Sequence, residues 1–307
     1  MAIKALLLFS GGLDSLIAGK ILQKNNIQVT GLNFTSLFIN NNEVKKSAQI
    51  LNIPLITKKI NQKQLALVKK PEFGYGKNLN PCVDCHLLML NIARQYLING
   101  RFQILATGEV LGQRPFSQNI QTFQLIEKKL DLRNKILRPL SGKLLSPTVY
   151  QQKGLINRQS LLTISGKSRK KQFAFVKNLG FSDLPTPAGG CLLTDPGFSK
   201  KLKILLKSYP EAKKSQVQML KTGRLIKIDQ SLIILGRNKV ENQKLENLAQ
   251  SKDMLIKPKN FPGPTAYLNQ MTVIKPNKLL SKIKKIIIHY SSNKKISPKA
   301  KFSIIEK

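Results

Sequence analysis

Hydrophobic positions in the first part of the chain follow two patterns. Short continuous apolar runs are typical of buried parallel strands, and apolar residues at helical spacing are typical of amphipathic helices. In order, the pattern predicts strands over residues 5–9, 27–34 and 53–57, with helices over residues 16–22 and 43–51. This alternation predicts an α/β fold with a doubly wound, mainly parallel sheet, which binds ligands at the carboxyl ends of its strands.

The alternation continues to about residue 181 with longer connections. The pattern predicts a helix over residues 87–97, strands over 102–106 and 136–140, a helix through 173–179, and loops over 71–86 and 184–196. The strand over 102–106 ends in Thr107-Gly108, so a second glycine follows a parallel strand at the same edge of the sheet.

The first strand ends in Ser-Gly-Gly-Leu-Asp-Ser, residues 10–15. Gly11 and Gly12 allow the backbone to approach an anion, and the N–H groups of the first helical turn point toward it. Ser10 and Ser15 add hydroxyl donors, and Asp14 is suited to a metal ion or a ribose hydroxyl. An ordinary strand-to-helix turn with a serine cap is the alternative interpretation.

Residues 10–15 resemble the pyrophosphate loop of the N-type ATP pyrophosphatases, and the chain has no match to the GxxxxGK[ST] phosphate loop. The resemblance implies that ATP is split between its α and β phosphates and that AMP is transferred to a substrate oxygen. It also implies Mg²⁺ beside Asp14. We expect Thr107 and Gly108 to lie near the adenosine, and Arg114 or Lys167 to meet the phosphate charge.

The net charge points to a polyanionic partner. The 307 residues include 52 Lys and Arg against 15 Asp and Glu, a formal net charge of +37, and residues 197–307 hold 25 against 6. Nucleic acid is the expected partner. The shift in charge density predicts a domain over 1–196, a basic domain over 197–290 and a disordered basic tail over 291–307. No apolar run approaches the roughly 18 residues of a membrane span, and the first residues enter a strand directly. We therefore expect a cytoplasmic protein that does not associate with a membrane.

The three cysteines, Cys82, Cys85 and Cys191, all lie in predicted loops rich in Pro or Gly. Three thiolates from two loops suit three irons of a 4Fe-4S cluster. They also suit a Cys₃ zinc site, or a Cys₃His site with His86. The third possibility is a relay between a persulfide and a resolving cysteine. Spacing does not decide among these possibilities.

Longer motifs sharpen the resemblance over roughly residues 3–200. The run NPCVDCH (residues 80–86), a helix and a strand ending in ATGE resemble the tRNA 2-thiouridylases, which carry an NPD-x-x-C loop and a strand ending in ATGH. Here Cys82 replaces the Asp of that loop and Glu109 replaces the His. A CxxC pair with a distant third cysteine instead resembles the cluster-dependent tRNA thiolases of the same superfamily.

The basic C-terminal part has a resemblance of its own. The segments GRNKVEN (residues 236–242) and FPGPTA (residues 261–266) are similar to the RNA-binding module of the NFACT proteins. The resemblance implies a smaller α+β domain that binds RNA. A generic α+β domain with exposed lysines is the alternative.

These observations lead to the hypothesis that the protein thiolates a uridine in tRNA, with ATP activating a base carbonyl oxygen. In this hypothesis, Cys82, Cys85 and Cys191 hold a 4Fe-4S cluster whose open iron binds the sulfur, and a persulfide relay without a cluster is the alternative. The sulfur comes from sulfide or from the persulfide of a cysteine desulfurase. Asp84 is a candidate proton acceptor or a surface residue that caps the next helix, and His86 is more typical of a helix start than of a ligand. An AMP-forming ligase for another substrate and a noncatalytic RNA-binding protein are the rival hypotheses.

Overall fold

The computed structural model describes residues 2–39, 43–177, 190–269, 276–291 and 300–306. They form two compact units, Met1–Asp195 and Pro196–Lys307. Parts of the sequence predictions lie outside the described residues, namely the end of the helix near Leu179 and the Pro/Gly-rich segment up to Gly189. In the described part of the chain, no helix is both long enough and apolar enough to cross a membrane.

The first unit is built on a parallel sheet, as the sequence predicts. Its strands are β1 (Lys4–Leu8), β2 (Gln28–Thr35), β3 (Leu55–Lys59) and β4 (Ile104–Thr107), in the order β3-β2-β1-β4. The three pairings are all parallel. The strand predicted over 136–140 is reduced to a single parallel bridge between Ala106 and Leu137.

Helices cover both faces of this sheet. They are α1 (Leu13–Lys24), α2 (Val44–Leu51), α3 (Asn61–Lys69), α4 (Cys82–Ile98), α5 (Ile120–Lys129), α6 (Val149–Gln152) and α7 (Lys170–Lys177). Alternate residues of β1 point to opposite faces. Ala5 and Leu7 join a hydrophobic cluster with α1, α2 and α7, whereas Leu6 joins a second cluster with α4 and α5. This arrangement confirms the doubly wound α/β fold.

The segment before α4 corrects one expectation from the sequence. The loop predicted over 71–86 ends earlier, because α4 begins at Cys82. Val83, Leu87 and Leu90 stand at helical spacing and face the same hydrophobic cluster. The polar and cysteine-rich sequence around Val83 hides this periodicity. Cys82, Asp84, Cys85 and His86 therefore lie in the first turns of a helix rather than in a loop.

The second unit is an α+β domain with an antiparallel sheet. Its strands are β5 (Arg224–Ile228), β6 (Ser231–Leu235), β7 (Met254–Pro258), β8 (Ala266–Leu268) and β9 (Phe302–Glu306), in the order β5-β6-β8-β7-β9. Its helices are α8 (Pro196–Ser208), α9 (Lys214–Met219), α10 (Lys239–Leu248) and α11 (Pro276–His289). Leu279, Ile283 and Ile287 of α11 repeat every four residues and pack on this sheet.

The end of the chain corrects a second expectation. Residues 302–306, placed in a disordered tail by the charge pattern, form the edge strand β9, which pairs with β7 from Pro258 to Met254. The apolar residues Phe302, Ile304 and Ile305 supply the strand pattern there, and the preceding lysines obscure it.

The GRNKVEN segment has a clear structural role. The Asn238 side chain caps α10 by accepting a hydrogen bond from the Glu241 backbone N–H at 2.9 Å. The Asn242 side chain accepts from the Thr265 N–H at 3.0 Å and donates to the Gly263 carbonyl at 3.2 Å. The GRNKVEN and FPGPTA segments are thus tied together by Asn242.

Candidate functional site

The loop between β1 and α1 depends on Gly11. Its φ of +78° lies in the left-handed region, and a Cβ atom there would meet the Cα of Val44 at 2.5 Å. The Ser47 hydroxyl donates to the Gly11 carbonyl at 2.6 Å. Glycine is therefore required both by the backbone conformation and by the close approach of α2.

The start of α1 is arranged for an anion. Gly12 is the N-cap residue in an extended conformation, and no side chain among the described residues caps the helix. The Ser15 hydroxyl donates back to the Gly12 carbonyl at 2.8 Å, and the Gly12 N–H donates to Ser10 Oγ at 3.3 Å. The first turn of α1 can therefore bind a phosphate group through its backbone N–H groups.

The end of β4 packs directly on this helix start. A Cβ atom on Gly108 would meet the Ser15 backbone nitrogen at 2.7 Å. The sheet order reverses direction between β1 and β4, since β2 lies on the other side of β1. Thr107 and Gly108 therefore stand at the switch point of the sheet, where this class of fold binds its ligand.

Three residues hold the Asp14 carboxylate. Gln113 Nε2 donates to Asp14 Oδ2 at 2.7 Å, and Gln172 Nε2 donates to Asp14 Oδ1 at 3.4 Å and to Gln113 Oε1 at 3.0 Å. Arg169 lies 3.8 Å from the same carboxylate. Sequence reasoning missed these partners, because glutamine carries no motif signal and the contacts join positions up to 158 residues apart.

A cleft of about 240 Å³ opens over the two strand ends. Cys191 lines it together with Ser10, Asp14 and Ser15 of the loop. Its other lining residues are Leu8, Phe9, Leu32, Asn33, Phe34, Ile39, His86, Met89, Thr107, Gly108, Glu109, Gln113, Arg114, Gln118 and Arg169. The basic candidate Arg114 is therefore at the cleft. Lys167 is exposed and is not among the lining residues, and Arg169 lies there instead.

A buried charge network forms one wall of the cleft. Glu109 Oε2 accepts from Arg138 Nε at 2.9 Å and from the Thr107 hydroxyl at 3.0 Å, while Oε1 is 2.7 Å from His86 Nδ1. Arg138 also donates through Nη1 to Glu127 at 2.6 Å. Burial by itself raises the pKa of Glu109, but Arg138 and His86 outweigh it and lower the pKa to about 2.

Asp84 has a structural task in this arrangement. Its side chain is 4% exposed, and its two oxygens accept the backbone N–H groups of Glu72 at 2.8 Å and Phe73 at 3.3 Å. The carboxylate thus anchors the loop that precedes α4. Asp84 is neither a surface residue nor a helix cap, and it does not line the cleft. A catalytic role for it stays a prediction.

Two hydrogen bonds bring Cys191 toward α4. The Leu192 N–H donates to the Phe38 carbonyl at 2.8 Å, just beyond β2. The Asn78 side chain, in the loop before α4, donates to the Thr194 carbonyl at 2.8 Å. The segment that carries Cys191 is therefore tied both to the sheet edge and to the loop that leads to Cys82.

The three thiols lie within electrostatic reach of one another. Burial raises the pKa of each thiol and is the largest influence on all three. The pKa of Cys82 is raised, that of Cys85 reaches about 12, and that of Cys191 reaches about 11. Charge on Cys82 or Cys191 further raises the pKa of Cys85, and charge on Cys82 raises that of Cys191. Gln64 opposes this at Cys85, since its Nε2 donates to the sulfur at 3.4 Å. In the absence of a cation, these thiols are protonated at neutral pH.

The described side chains around the cysteines do not provide a ready-made zinc site. Across the described ranges, which contain all three cysteines and His86, no group of three or more His, Cys, Asp and Glu side chains is placed to hold one ion. His86 uses Nδ1 to contact Glu109. The mononuclear zinc possibilities therefore lack a ready-made set of ligands.

The sheet order and the glycine loop at its switch point make the first unit a Rossmann-like α/β domain. Residues 1–144 match the family model described as "Thiamine biosynthesis protein (ThiI)". This similarity covers the four-stranded sheet, the glycine loop, Cys82, Cys85 and Glu109, but ends before Cys191. A search of curated protein sequences found no match.

Three solved structures show partial similarity. A 4-thiouridine synthetase in complex with RNA and ATP has 23% identity and a TM-score of 0.37 over 58% of this chain, which spans about half (51%) of that chain. A predicted subunit of a tRNA methyltransferase from Methanocaldococcus jannaschii has 17% identity and a TM-score of 0.35, and the similarity covers 59% of this chain and 89% of that chain. An NH₃-dependent NAD synthetase from Campylobacter jejuni has 15% identity and a TM-score of 0.34, and the similarity covers 71% of this chain and 82% of that chain.

Proposed function

We propose that the chain catalyses ATP-dependent thiolation of a uridine in tRNA. The observation that carries the proposal is that one cleft is lined both by the phosphate-binding loop, through Ser10, Asp14 and Ser15, and by a cysteine, Cys191. A ligase that only transfers AMP needs the loop but has no use for a thiol. The match of residues 1–144 to a ThiI family model supports the same assignment.

The phosphate side of the site activates an oxygen. The base carbonyl oxygen attacks the α-phosphorus of ATP, the bond to pyrophosphate breaks, and AMP remains on the base. The first turn of α1 and the guanidinium groups of Arg114 and Arg169 meet the phosphate charge. The Asp14 carboxylate, positioned by Gln113 and Gln172, would hold Mg²⁺, which neutralises phosphate charge.

The cysteine side of the site supplies sulfur. Hydrosulfide attacks the activated carbon, the C–S bond forms as the C–O bond breaks, AMP leaves with the former carbonyl oxygen, and the proton of the hydrosulfide is released. Cys82, Cys85 and Cys191 come from two segments joined by a hydrogen bond and lie within electrostatic reach of one another, and three thiolates suit three irons of a 4Fe-4S cluster. These three residues would hold the cluster, which when bound supplies a site for the incoming sulfur. A relay through a cysteine persulfide, without a cluster, is the alternative.

The second unit supports RNA as the substrate. Residues 197–307 carry 25 Lys and Arg against 6 Asp and Glu, a balance suited to the phosphate backbone of tRNA. We propose that this unit is an RNA-binding domain similar to the NFACT module. Sulfide or a cysteine desulfurase persulfide is the proposed sulfur source.

Mass spectrometry of tRNA from a deletion strain tests the reaction. One thionucleoside should be missing, and it should return with the wild-type chain but not with Cys191→Ala. Lys167→Ala, outside the cleft, is the matched control and should restore it. If every thionucleoside is unchanged in the deletion strain, the proposal is wrong.

Anaerobic purification then separates the two sulfur routes. A cluster predicts about four irons and four sulfides per chain, lost on Cys191→Ala. A colourless protein with full activity would exclude the cluster and leave the persulfide relay.

A further inference from the structure

His86 and Glu109 form a dyad that faces the cleft. The His86 side chain is 17% exposed, the Glu109 side chain is 8% exposed, and both residues line the cleft. His86 Nδ1 is 2.7 Å from Glu109 Oε1. An ionised carboxylate only accepts hydrogen bonds, so Nδ1 carries the proton. In the neutral ring, Nε2 is then an acceptor that is left for a ligand.

The charges around Glu109 keep this orientation fixed. Arg138 Nε and the Thr107 hydroxyl both donate to Oε2, so that oxygen is occupied by two donors. Only Oε1 is directed to His86. The low pKa of Glu109 agrees with a carboxylate that stays ionised at neutral pH.

We propose, on the basis of the proposed function, that His86 determines the choice of base: Nε2 accepts a hydrogen bond from the ring N–H of uracil. This N–H lies between the two ring carbonyls, so the contact serves thiolation at either of them. Cytosine presents an unprotonated nitrogen at the same place, and its lone pair would face the lone pair of Nε2. Glu109 is the positioning residue that sets the tautomer.

The network predicts an unusual effect of Glu109→Gln. Arg138 and Thr107 are donors and require an oxygen at the Oε2 position, so the amide nitrogen must occupy the Oε1 position beside His86. An amide N–H there donates to Nδ1, and the imidazole proton moves to Nε2. Nε2 then becomes a donor, which matches cytosine and opposes uracil.

The experiment compares the binding of two labelled pentanucleotides, one of uridine and one of cytidine, in the presence of a non-hydrolysable ATP analogue. The measured quantity is the ratio of the two Kd values. The wild-type chain should favour uridine by roughly ten-fold or more. His86→Leu should bring the ratio near one, and Glu109→Gln should bring it to one or reverse it.

Glu127→Gln is the matched control, because it changes a carboxylate on the far side of Arg138 without touching His86. It should leave the ratio unchanged. An unchanged uridine preference in both folded variants, checked by circular dichroism, would overturn the role of His86. Equal wild-type binding of the two oligomers would also overturn it. The binding ratio needs no turnover, so it is read separately from the loss of a thionucleoside, which tests the proposed function.

Discussion

Replacing Arg138 by Met should strongly destabilise the first unit. Arg138 is 4% exposed, contacts both Glu109 and Glu127, and stacks its guanidinium 3.8 Å above the centre of the Phe123 ring. Met retains much of the packing but leaves two carboxylates without their cation. Removal of one partner from a buried ion pair costs about 3–5 kcal/mol.

The pH dependence gives this prediction its sign. The pKa of Glu109 is about 2 in the folded chain and 4.5 as its ordinary value. A lowered carboxylate pKa stabilises the fold above pH 4.5, and that contribution is lost as the pH falls toward 2. The difference corresponds to about 3 kcal/mol. Without Arg138, only His86 still opposes the effect of burial, so the pKa of Glu109 is lowered less and the variant has less of this contribution to lose.

Urea denaturation followed by far-ultraviolet circular dichroism measures the effect, since the chain contains no Trp. The free energy of unfolding of Arg138→Met should lie below that of the wild type by a constant amount from pH 7 to 5. The gap should narrow between pH 4.5 and 3. Arg133→Met, at an exposed position, is the control and should change stability by less than about 0.5 kcal/mol. A gap that is absent at pH 7, or equally large at pH 3, would refute the reasoning.

Two further predictions concern the loop and the second unit. Gly11→Ala should reduce RNA-dependent pyrophosphate release at least ten-fold. Gly154→Ala is the control and should change it little, because Gly154 has a φ of +69° but no atom within 4 Å of the new Cβ. An equal loss of activity in both variants would mean that backbone strain, rather than contact with α2, is responsible. Asn242→Ala should lower the stability of the second unit by about 1–3 kcal/mol in thermal unfolding, because the Gly263 carbonyl and the Thr265 N–H lose their partner. Gln243→Ala, at an exposed position, is the control and should leave the stability unchanged. A shift as large for Gln243→Ala would show that any change in α10 has this effect.

The parallel sheet and the edge that carries the candidate site could be predicted from the sequence, because both depend on local pattern. Buried strands read as apolar runs, and a glycine pair after a strand indicates close approach of backbone to a ligand. The predicted strand over 27–34 differs from β2 by one residue at each end. In the sheet, Leu8 pairs with Thr107, so the two strand ends that precede the glycines of the site lie side by side.

The hydrogen-bond and ion-pair partners of the site residues could not be predicted, because these contacts depend on how elements far apart in the sequence are oriented toward one another. Lys167 and Arg169 are both basic and two positions apart, yet only Arg169 reaches Asp14, just before α7 begins. Gln172 is fully buried against the same carboxylate. A sequence pattern identifies a basic segment there but not which side chain enters the cleft.

At position 109, the structure leads to a different interpretation of the residue than the sequence does. Glu109 replaces the His that the 2-thiouridylases carry after ATG, so the sequence alone implies that an imidazole has been lost from the site. The structure instead places His86 of α4 beside Glu109, at 2.7 Å. The cleft therefore still contains an imidazole, supplied from a helix rather than from the strand end.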